Sequence, residues 1–200
     1  MGTAPEWLAG LMPHGYQTRR SEIQRLTAEL ASMDRIGSLL WQSGPPLRES
    51  LRDVFLALRY DVEVQPQESA YDVRVALDGD RRLLIRIARA EGMVAKKSPD
   101  LVAVFQTLSD TGSGDRVVLA ANNHCNMRPA DRPEYDDVAP DALDLLQRMG
   151  ANFVSTATLF AIWSLSLQED LPRVRAHVDK LHAQNGGGFR LPFPAAVSSS

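Results

Sequence analysis

The fold is decided by residues 71–92, which read YDVRVALDGDRRLLIRIARAEG. Two runs rich in β-forming residues, 71–77 and 82–88, flank a short segment that contains Asp78 and Gly79. Such runs on either side of a tight turn with glycine are the strongest short-range signal for a β-hairpin. The stretch therefore predicts two antiparallel strands joined by a turn.

Alternation along these two strands determines which side chains share a face. Successive side chains of an extended chain point to opposite faces, so Asp72, Arg74 and Ala76 lie together on the first strand. By the same rule Arg86 and Ala88 share one face of the second strand. We expect any chemistry of the chain to lie on this pair of strands.

The second strand reads LIRIA over residues 84–88, and Glu91-Gly92 follows it. This resembles the core hairpin of the restriction-endonuclease-like fold, whose PD-(D/E)xK pattern places an acid on one strand and an acid-x-Lys triplet on the next. In bacterial members the second strand typically reads apolar-apolar-Glu-apolar-Lys and is soon followed by Glu-Gly. By that alignment Asp72 keeps the first acid, whereas Arg86 replaces the second acid and Ala88 replaces the lysine.

The order of elements around the hairpin fits the same resemblance. Apolar periodicity and turn residues predict helices and strands that alternate after the hairpin, which favours a mixed sheet with helices on both faces. The fold class expected is α/β, a restriction-endonuclease-like mixed central sheet flanked by helices and preceded by an N-terminal helical segment. The predicted elements are a helix over 47–59, a strand over 61–64, a helix over 99–109, a strand over 116–121, a loop over 122–139, a helix over 140–149, a strand over 152–155, and helices over 156–167 and 171–182.

Proline and glycine suggest the domain boundaries. Gly44-Pro45-Pro46 ends an N-terminal loop and helix over 1–46, because proline removes a backbone donor and clashes with the preceding turn. The restriction-endonuclease-like domain is expected over 47–170, and a C-terminal helix and flexible tail over 171–200. Gly186, Gly187 and Gly188 lack the Lys-Ser/Thr of a phosphate-binding loop and are interpreted as part of this flexible tail.

Residues 17–40 predict a helix with one apolar stripe. Its apolar residues recur at three-four-three spacing, and they are Ile23, Leu26, Leu30 and Met33. Two interpretations stay open: a short coiled coil with a second copy, which would make a homodimer, and a helix that packs on its own domain.

Composition limits the class of protein. The chain has 200 residues, a formal net charge of -3 and a single cysteine, Cys125. No intrachain disulfide can form, which fits a reducing compartment, and we expect a cytoplasmic protein. No apolar run approaches the roughly 18 residues that suggest a membrane span, so no membrane association is expected. The adjacent His124 and Cys125 are poor evidence for a metal site and receive no role.

Nucleases of the restriction-endonuclease-like family hold Mg²⁺ through carboxylates. In this chain arginines replace two of the aligned acids. A glutamate in a Leu-Glu-Glu frame near the start of the first helix often adds to their site, but here Arg48 takes its place in Leu47-Arg48-Glu49. A dication about 4 Å from an arginine is repelled by several kcal/mol even at an effective dielectric near 20. We therefore expect no enzyme activity, no catalytic residue, no metal and no cofactor.

A degenerate site of this kind would bind a phosphate group instead. The candidate ligand-binding residues are Arg48, Asp72, Arg74, Arg86, Lys96 and Lys97, and the ligand would be a nucleic acid or a nucleotide. In the plainer interpretation Asp72 forms a cross-strand ion pair with Arg74 or Arg86, and the charged run from Arg81 to Lys97 is a solvated face. Trp41 and Trp163 are interpreted as core or interface anchors, since each lies in an apolar helical context.

Two further functions stay open. One is a structural or regulatory interaction module that binds a protein partner or a second copy and has no ligand. The other is an active metal-dependent nuclease that uses the displaced acids Glu49 and Glu91. A continuous basic groove across the hairpin favours phosphate binding, whereas an apolar patch favours a protein partner.

Overall fold

The computed structural model describes residues 11–66, 69–89, 92–128, 131–132 and 137–191. The chain divides into two compact units, Met1–Asp34 and Arg35–Ser200. The division therefore falls inside the N-terminal helix and not at the proline pair that follows it. Among the described residues, no helix is both long and apolar enough to cross a membrane.

The first unit contains most of helix α1, Tyr16–Gly37. Its middle is held by ion pairs one turn apart, in which Arg25 contacts both Glu22 and Glu29. Ile23 and Leu30 of the predicted stripe are exposed, at 64% and 60%, and Leu26 is also exposed. The predicted helix is confirmed, and the choice between dimer seam and packing in cis stays a prediction.

The second unit is built on a six-stranded sheet. The strands lie in the order β1 to β6, so each pairs with its neighbours in the chain. The first three are antiparallel, and β3 to β6 are parallel. The strands are β1 (Asp61–Val64), β2 (Val73–Ala76), β3 (Arg82–Ile87), β4 (Asp115–Ala121), β5 (Asn152–Ser155) and β6 (Gly187–Phe189).

Helices connect the parallel strands and cover the sheet. A short 3-10 helix (Ser38–Leu40) follows α1, and the remaining helices follow the predicted order closely. They begin with recognisable signals: Ser98 caps α3 by accepting from the Asp100 amide, and Pro99 occupies the first turn. The helices are α2 (Leu47–Ala57), α3 (Pro99–Ser109), α4 (Pro140–Met149), α5 (Thr156–Leu165) and α6 (Leu171–Ala183).

The core is formed on both faces of the sheet. One apolar cluster joins β4 and β5 to α3 and α4, with Leu119, Val104 and Leu146 fully buried. On the other face α2 packs beside β1 and β2 and against α5. Burial on both faces explains why β3 and β4 are nearly continuous apolar runs. The predicted α/β class, with a mixed sheet flanked by helices, is confirmed.

The glycine run was wrongly interpreted as a flexible tail. Gly187–Phe189 forms β6 and pairs in parallel with β5. Gly186 has φ +86, and a Cβ there would lie 2.7 Å from Gln147 Cα. Glycine is needed at this position for its backbone conformation and for close approach to α4. Residues 192–200 lie outside the described residues.

The two tryptophans have different environments. Trp163 is buried on α5 and its ring lies 5.2 Å from that of Phe160, so its predicted place in the core is confirmed. Trp41 is 62% exposed, so the expectation that it belongs to the core is wrong. Trp41 directly follows the short 3-10 helix, in which Leu39 is buried, while the indole faces solvent. Its role as an interface anchor stays a prediction.

Candidate functional site

Asp72 lies one residue before β2 and is 1% exposed. Its amide donates to the carbonyl of Ile85 at 2.8 Å, and its carbonyl accepts from the amide of Gln65 at 2.9 Å. The residue therefore continues the strand ladder beyond β2. This places its side chain beside the carboxyl end of β3, where ligands commonly bind in open α/β sheets.

The carboxylate of Asp72 is surrounded by donors. Arg48 donates to Oδ1 from Nε at 2.9 Å and from Nη2 at 2.6 Å. The backbone amide of Ile87 donates to Oδ2 at 2.9 Å. Arg89 Nη2 lies 3.3 Å from Oδ1, and Arg86 Nε lies 3.9 Å from Oδ2. Three guanidinium groups thus converge on one buried carboxylate.

Arg48 reaches the site from the first turn of α2. Pro46 precedes the helix, and the fixed φ of proline suits a helix start, so the turn that carries Arg48 is locally well defined. Its side chain is only 14% exposed, which makes this a nearly buried ion pair. A buried pair contributes little net stability, but removing either partner leaves a costly buried charge.

Arg86 is the most enclosed of the three cations, at 11% exposure. Nη1 donates to the carbonyl of Ser69 at 2.7 Å. Burial lowers the pKa of Arg86, and the nearby Arg89 and Arg48 lower it further, against the opposing effect of Asp72 and Asp100. Burial is the largest of these effects and disfavours the charged form of Arg86, whereas an anion in contact with the guanidinium would favour that form.

A second carboxylate, that of Asp100, lies close to the three guanidinium groups. The backbone amide of Arg89 donates to Asp100 Oδ1 at 2.9 Å, which brings a second buried carboxylate to the site. Three guanidinium groups therefore meet the carboxylates of Asp72 and Asp100, and Asp110 adds a third carboxylate across the adjoining cleft. The positive charge is local to the wall that Arg86 and Arg89 form, and this wall is where an anion would bind.

Arg86 and Arg89 also line an open cleft of about 480 Å³ between the end of β3 and α3. The loop on its far side is held in place because the hydroxyl of Thr107 donates to the carbonyl of Ala70. Two of the three cations are therefore accessible to a small ligand. The cleft is lined by Ser69, Ala70, Arg86, Arg89, Ala103, Gln106 and Asp110.

Not all of the predicted ligand-binding residues reach this site. Arg74 pairs with Glu63 across β1 and β2, so its predicted pairing with Asp72 is wrong. Lys96 and Lys97 are exposed in the turn that precedes α3. Ala88 is buried in the core between the sheet and α3.

The displaced acids do not supply a second carboxylate at the Asp72 site. Glu49 is exposed and pairs with Arg52 one turn along α2. Glu91 lies outside the described residues. The expected cross-strand pair of Asp72 with Arg86 is present at 3.9 Å, and both side chains are buried.

Arg89 is a site residue that sequence reasoning missed. It was counted with the charged run and assigned to a solvated face. The available signal was its position two residues after β3, at the carboxyl end of a strand that pairs in parallel with β4. Arg89 also lines a second cleft of about 450 Å³, where its neighbours include Asn122, Asn126 and Cys125.

The residues present do not fit the Mg²⁺ that the resemblance implies. Both oxygens of Asp72 already accept hydrogen bonds, and the nearest groups are cations. Across the part of the chain that the structure describes, no group of three or more His, Cys, Asp or Glu side chains could hold a metal. Hard divalent cations need several oxygen ligands, which this cluster does not offer.

Comparison of the chain with known protein families, with curated proteins and with solved structures gives no match.

Proposed function

We propose that the chain is a catalytically inactive domain of the restriction-endonuclease-like kind that binds the phosphate group of a nucleic acid or nucleotide. The order of a helix, three antiparallel strands, a helix and a parallel strand supports the fold part of this proposal. The single observation that carries the binding part is the enclosed guanidinium of Arg86 at the edge of the 480 Å³ cleft.

Arginine suits a phosphate ligand for a geometric reason. Its planar fork donates two parallel hydrogen bonds to adjacent oxygens, and it stays charged at all ordinary pH values. Arg86, near the end of β3, and Arg89, two residues beyond that end, line the same cleft. A phosphate there would contact both cations. It would add negative charge beside Arg86, which lies 3.9 Å from its partner Asp72.

The same arrangement argues against hydrolysis. Metal-dependent phosphodiester cleavage needs carboxylates that hold the cation and activate water. Here the carboxylate of Asp72 is engaged by Arg48 and by the amide of Ile87. The site holds cations where a nuclease holds acids, and the expected outcome is binding without turnover.

The test is a titration of the full chain with inorganic phosphate, nucleotides, single-stranded DNA and duplex DNA at two salt concentrations. Arg86→Gln should weaken phosphate binding by about tenfold or more, because a charge-assisted hydrogen bond contributes about 1.5–3 kcal/mol. Arg74→Gln is the matched control. Arg74 lies on the adjacent strand β2 and pairs with Glu63, so this variant loses an arginine that does not line the cleft. Equal binding by the wild-type chain and Arg86→Gln would contradict the proposal.

One observation favours a second candidate function. Ile23, Leu26 and Leu30 present exposed apolar side chains on α1 at heptad spacing. A structural or regulatory module that binds a second copy through this stripe would need no ligand. The two functions are compatible, because the stripe and the cleft lie on different elements.

A further inference from the structure

The cleft has a second wall that is not cationic. Gln106 lies on α3, and Asp110 follows it by four residues at the C-terminal cap of that helix, so both side chains lie on one side of the helix. Among the residues that the structure describes, neither side chain has a hydrogen-bond partner. An amide and a carboxylate therefore face the same space as the guanidinium groups of Arg86 and Arg89.

The position of Asp110 is unfavourable for the helix itself. The C-terminal end of a helix carries partial negative charge and is stabilised by cations, so a carboxylate there lowers stability. Asp110 has no compensating ion pair among the described residues. A residue that breaks a local rule without a structural gain is expected at a binding site.

The two walls have complementary chemistry for one class of small molecule. Arginine forks hold a phosphate, whereas a carboxylate and an amide oxygen accept hydrogen bonds from hydroxyl groups. Ala70 and Ala103 lie among the lining residues, and their small side chains leave room for a ring. The described lining residues include no aromatic side chain, so the site offers no platform for stacking a base.

We propose that the cleft binds a sugar phosphate, with the phosphate at Arg86 and Arg89 and the sugar hydroxyls at Gln106 and Asp110. This inference rests on the proposed phosphate-binding function and narrows its ligand. The shared chemistry is a phosphorylated sugar, which a free sugar phosphate and the ribose phosphate of a nucleotide both supply.

The experiment is isothermal titration calorimetry of the full chain with ribose 5-phosphate, inorganic phosphate, ribose and adenosine 5′-monophosphate. Ribose 5-phosphate should bind about tenfold more tightly than inorganic phosphate, because two hydroxyl contacts are added. Equal affinity for the nucleotide would assign recognition to the ribose phosphate alone. Tighter binding of the nucleotide would support the same ribose phosphate contacts and would identify a nucleotide, not a free sugar phosphate, as the ligand.

Variants separate the two walls. Asp110→Ala should reduce the affinity for ribose 5-phosphate to that for inorganic phosphate, while inorganic phosphate binds as well as before or better because a negative charge has been removed. The melting temperature should not fall, since the carboxylate opposes the helix dipole. Asp141→Ala is the control: this exposed acid lies in the first turn of α4, and its loss should leave both ligands unaffected.

Two results would overturn this inference while leaving the proposed function intact. One is equal affinity for ribose 5-phosphate and inorganic phosphate in the wild-type chain. The other is binding of duplex DNA in an Arg86-dependent manner with no binding of ribose 5-phosphate. If none of the phosphate-bearing ligands binds, DNA and the nucleotide included, or if Arg86→Gln changes the binding of none of them, the proposed function fails as well.

Discussion

Arg48 in the first turn of α2 donates two hydrogen bonds to Oδ1 of Asp72, which lies 24 residues further along the chain beside β2. This pair joins the first helix of the sheet unit to its central hairpin. Arg48 also engages the carboxylate that corresponds, by the alignment, to a metal ligand of the restriction-endonuclease-like nucleases. The predictions about chemistry and stability both depend on it.

The first prediction concerns catalysis. Purified protein should not cleave DNA or RNA in the presence of Mg²⁺ or Mn²⁺, because Asp72 has no free oxygen and its neighbours are cations. A fluorogenic assay with single-stranded and duplex substrates measures this. Metal-dependent cleavage that Asp72→Ala abolishes would show that the site is a working nuclease.

The second prediction concerns stability. Asp72→Ala should lower the free energy of unfolding by about 3–5 kcal/mol, since it leaves Arg48 and Arg86 buried without their common partner. Urea denaturation followed by circular dichroism measures the change. Glu63→Ala, which removes the exposed partner of Arg74, should cost no more than about 1 kcal/mol. Similar losses for the two variants would mean that Asp72 is not a buried ionic centre.

The third prediction concerns assembly. If the stripe of α1 is a seam between two copies, Leu26→Glu should convert a dimer to a monomer without unfolding the rest of the chain. Sedimentation velocity measures the mass. Leu167→Glu introduces the same charge at another exposed leucine and should leave the mass unchanged. A wild-type chain that sediments as a monomer at high micromolar concentration would contradict a seam between two copies.

Deletion of the N-terminal segment needs to respect the boundary of the sheet unit. Leu39 is fully buried, and its carbonyl accepts a hydrogen bond from Asn122. Removal of residues 1–43 would therefore strip part of the core, whereas removal of 1–34 follows the division between the two units. The shorter deletion is the appropriate companion to Leu26→Glu.

The fourth prediction concerns pH. Burial raises the pKa of Asp137, although the Asn123 amide and nearby cations oppose the shift. The folded protein then binds this proton more tightly than the unfolded chain does. The contribution of Asp137 to stability is fully present below its unfolded pKa near 4 and is lost as pH rises through its folded pKa.

Asp137→Asn isolates this effect, because its amide oxygen still accepts the hydrogen bond from Asn123. The difference in free energy of unfolding, wild type minus variant, should fall as pH rises through the folded pKa of Asp137. Denaturation series over the acidic range measure it for both chains. A difference that rises with pH would mean that the carboxylate is stabilised in its charged form.

Much of the fold is readable from side-chain patterns. The predicted bounds of α3, α4, β1 and β5 agree with the structure. Proline marks the first turn of α3 and of α4, and Gly150 in the left-handed conformation ends α4. The strand β6 was not predictable in the same way. Two of its three residues and the residue before it are glycines, which leave no pattern of side chains to read and suggest flexibility instead.

Only part of the candidate site could be predicted from the sequence. Asp72 and Arg86 followed from an alignment of strand positions and Arg48 from the Leu-Glu-Glu frame of the first helix, and the three side chains converge. Gln106 and Asp110 enter the site through tertiary packing of α3 beside β3, which no local spacing reports. Arg74 was misassigned because its cross-strand neighbour Glu63 offers an exposed partner at shorter range.

The edge position of β6 has a consequence for how the chain folds during synthesis. The carbonyl and amide groups of β5 that pair with Gly187–Phe189 lack that partner until residue 189 has been made, more than 30 residues after β5. Domains emerge from the ribosome N-terminus first, so the sheet is open on this side while α5 and α6 are being made. A chain that stops at the end of α6 would expose β5 as a bare edge and should tend to aggregate.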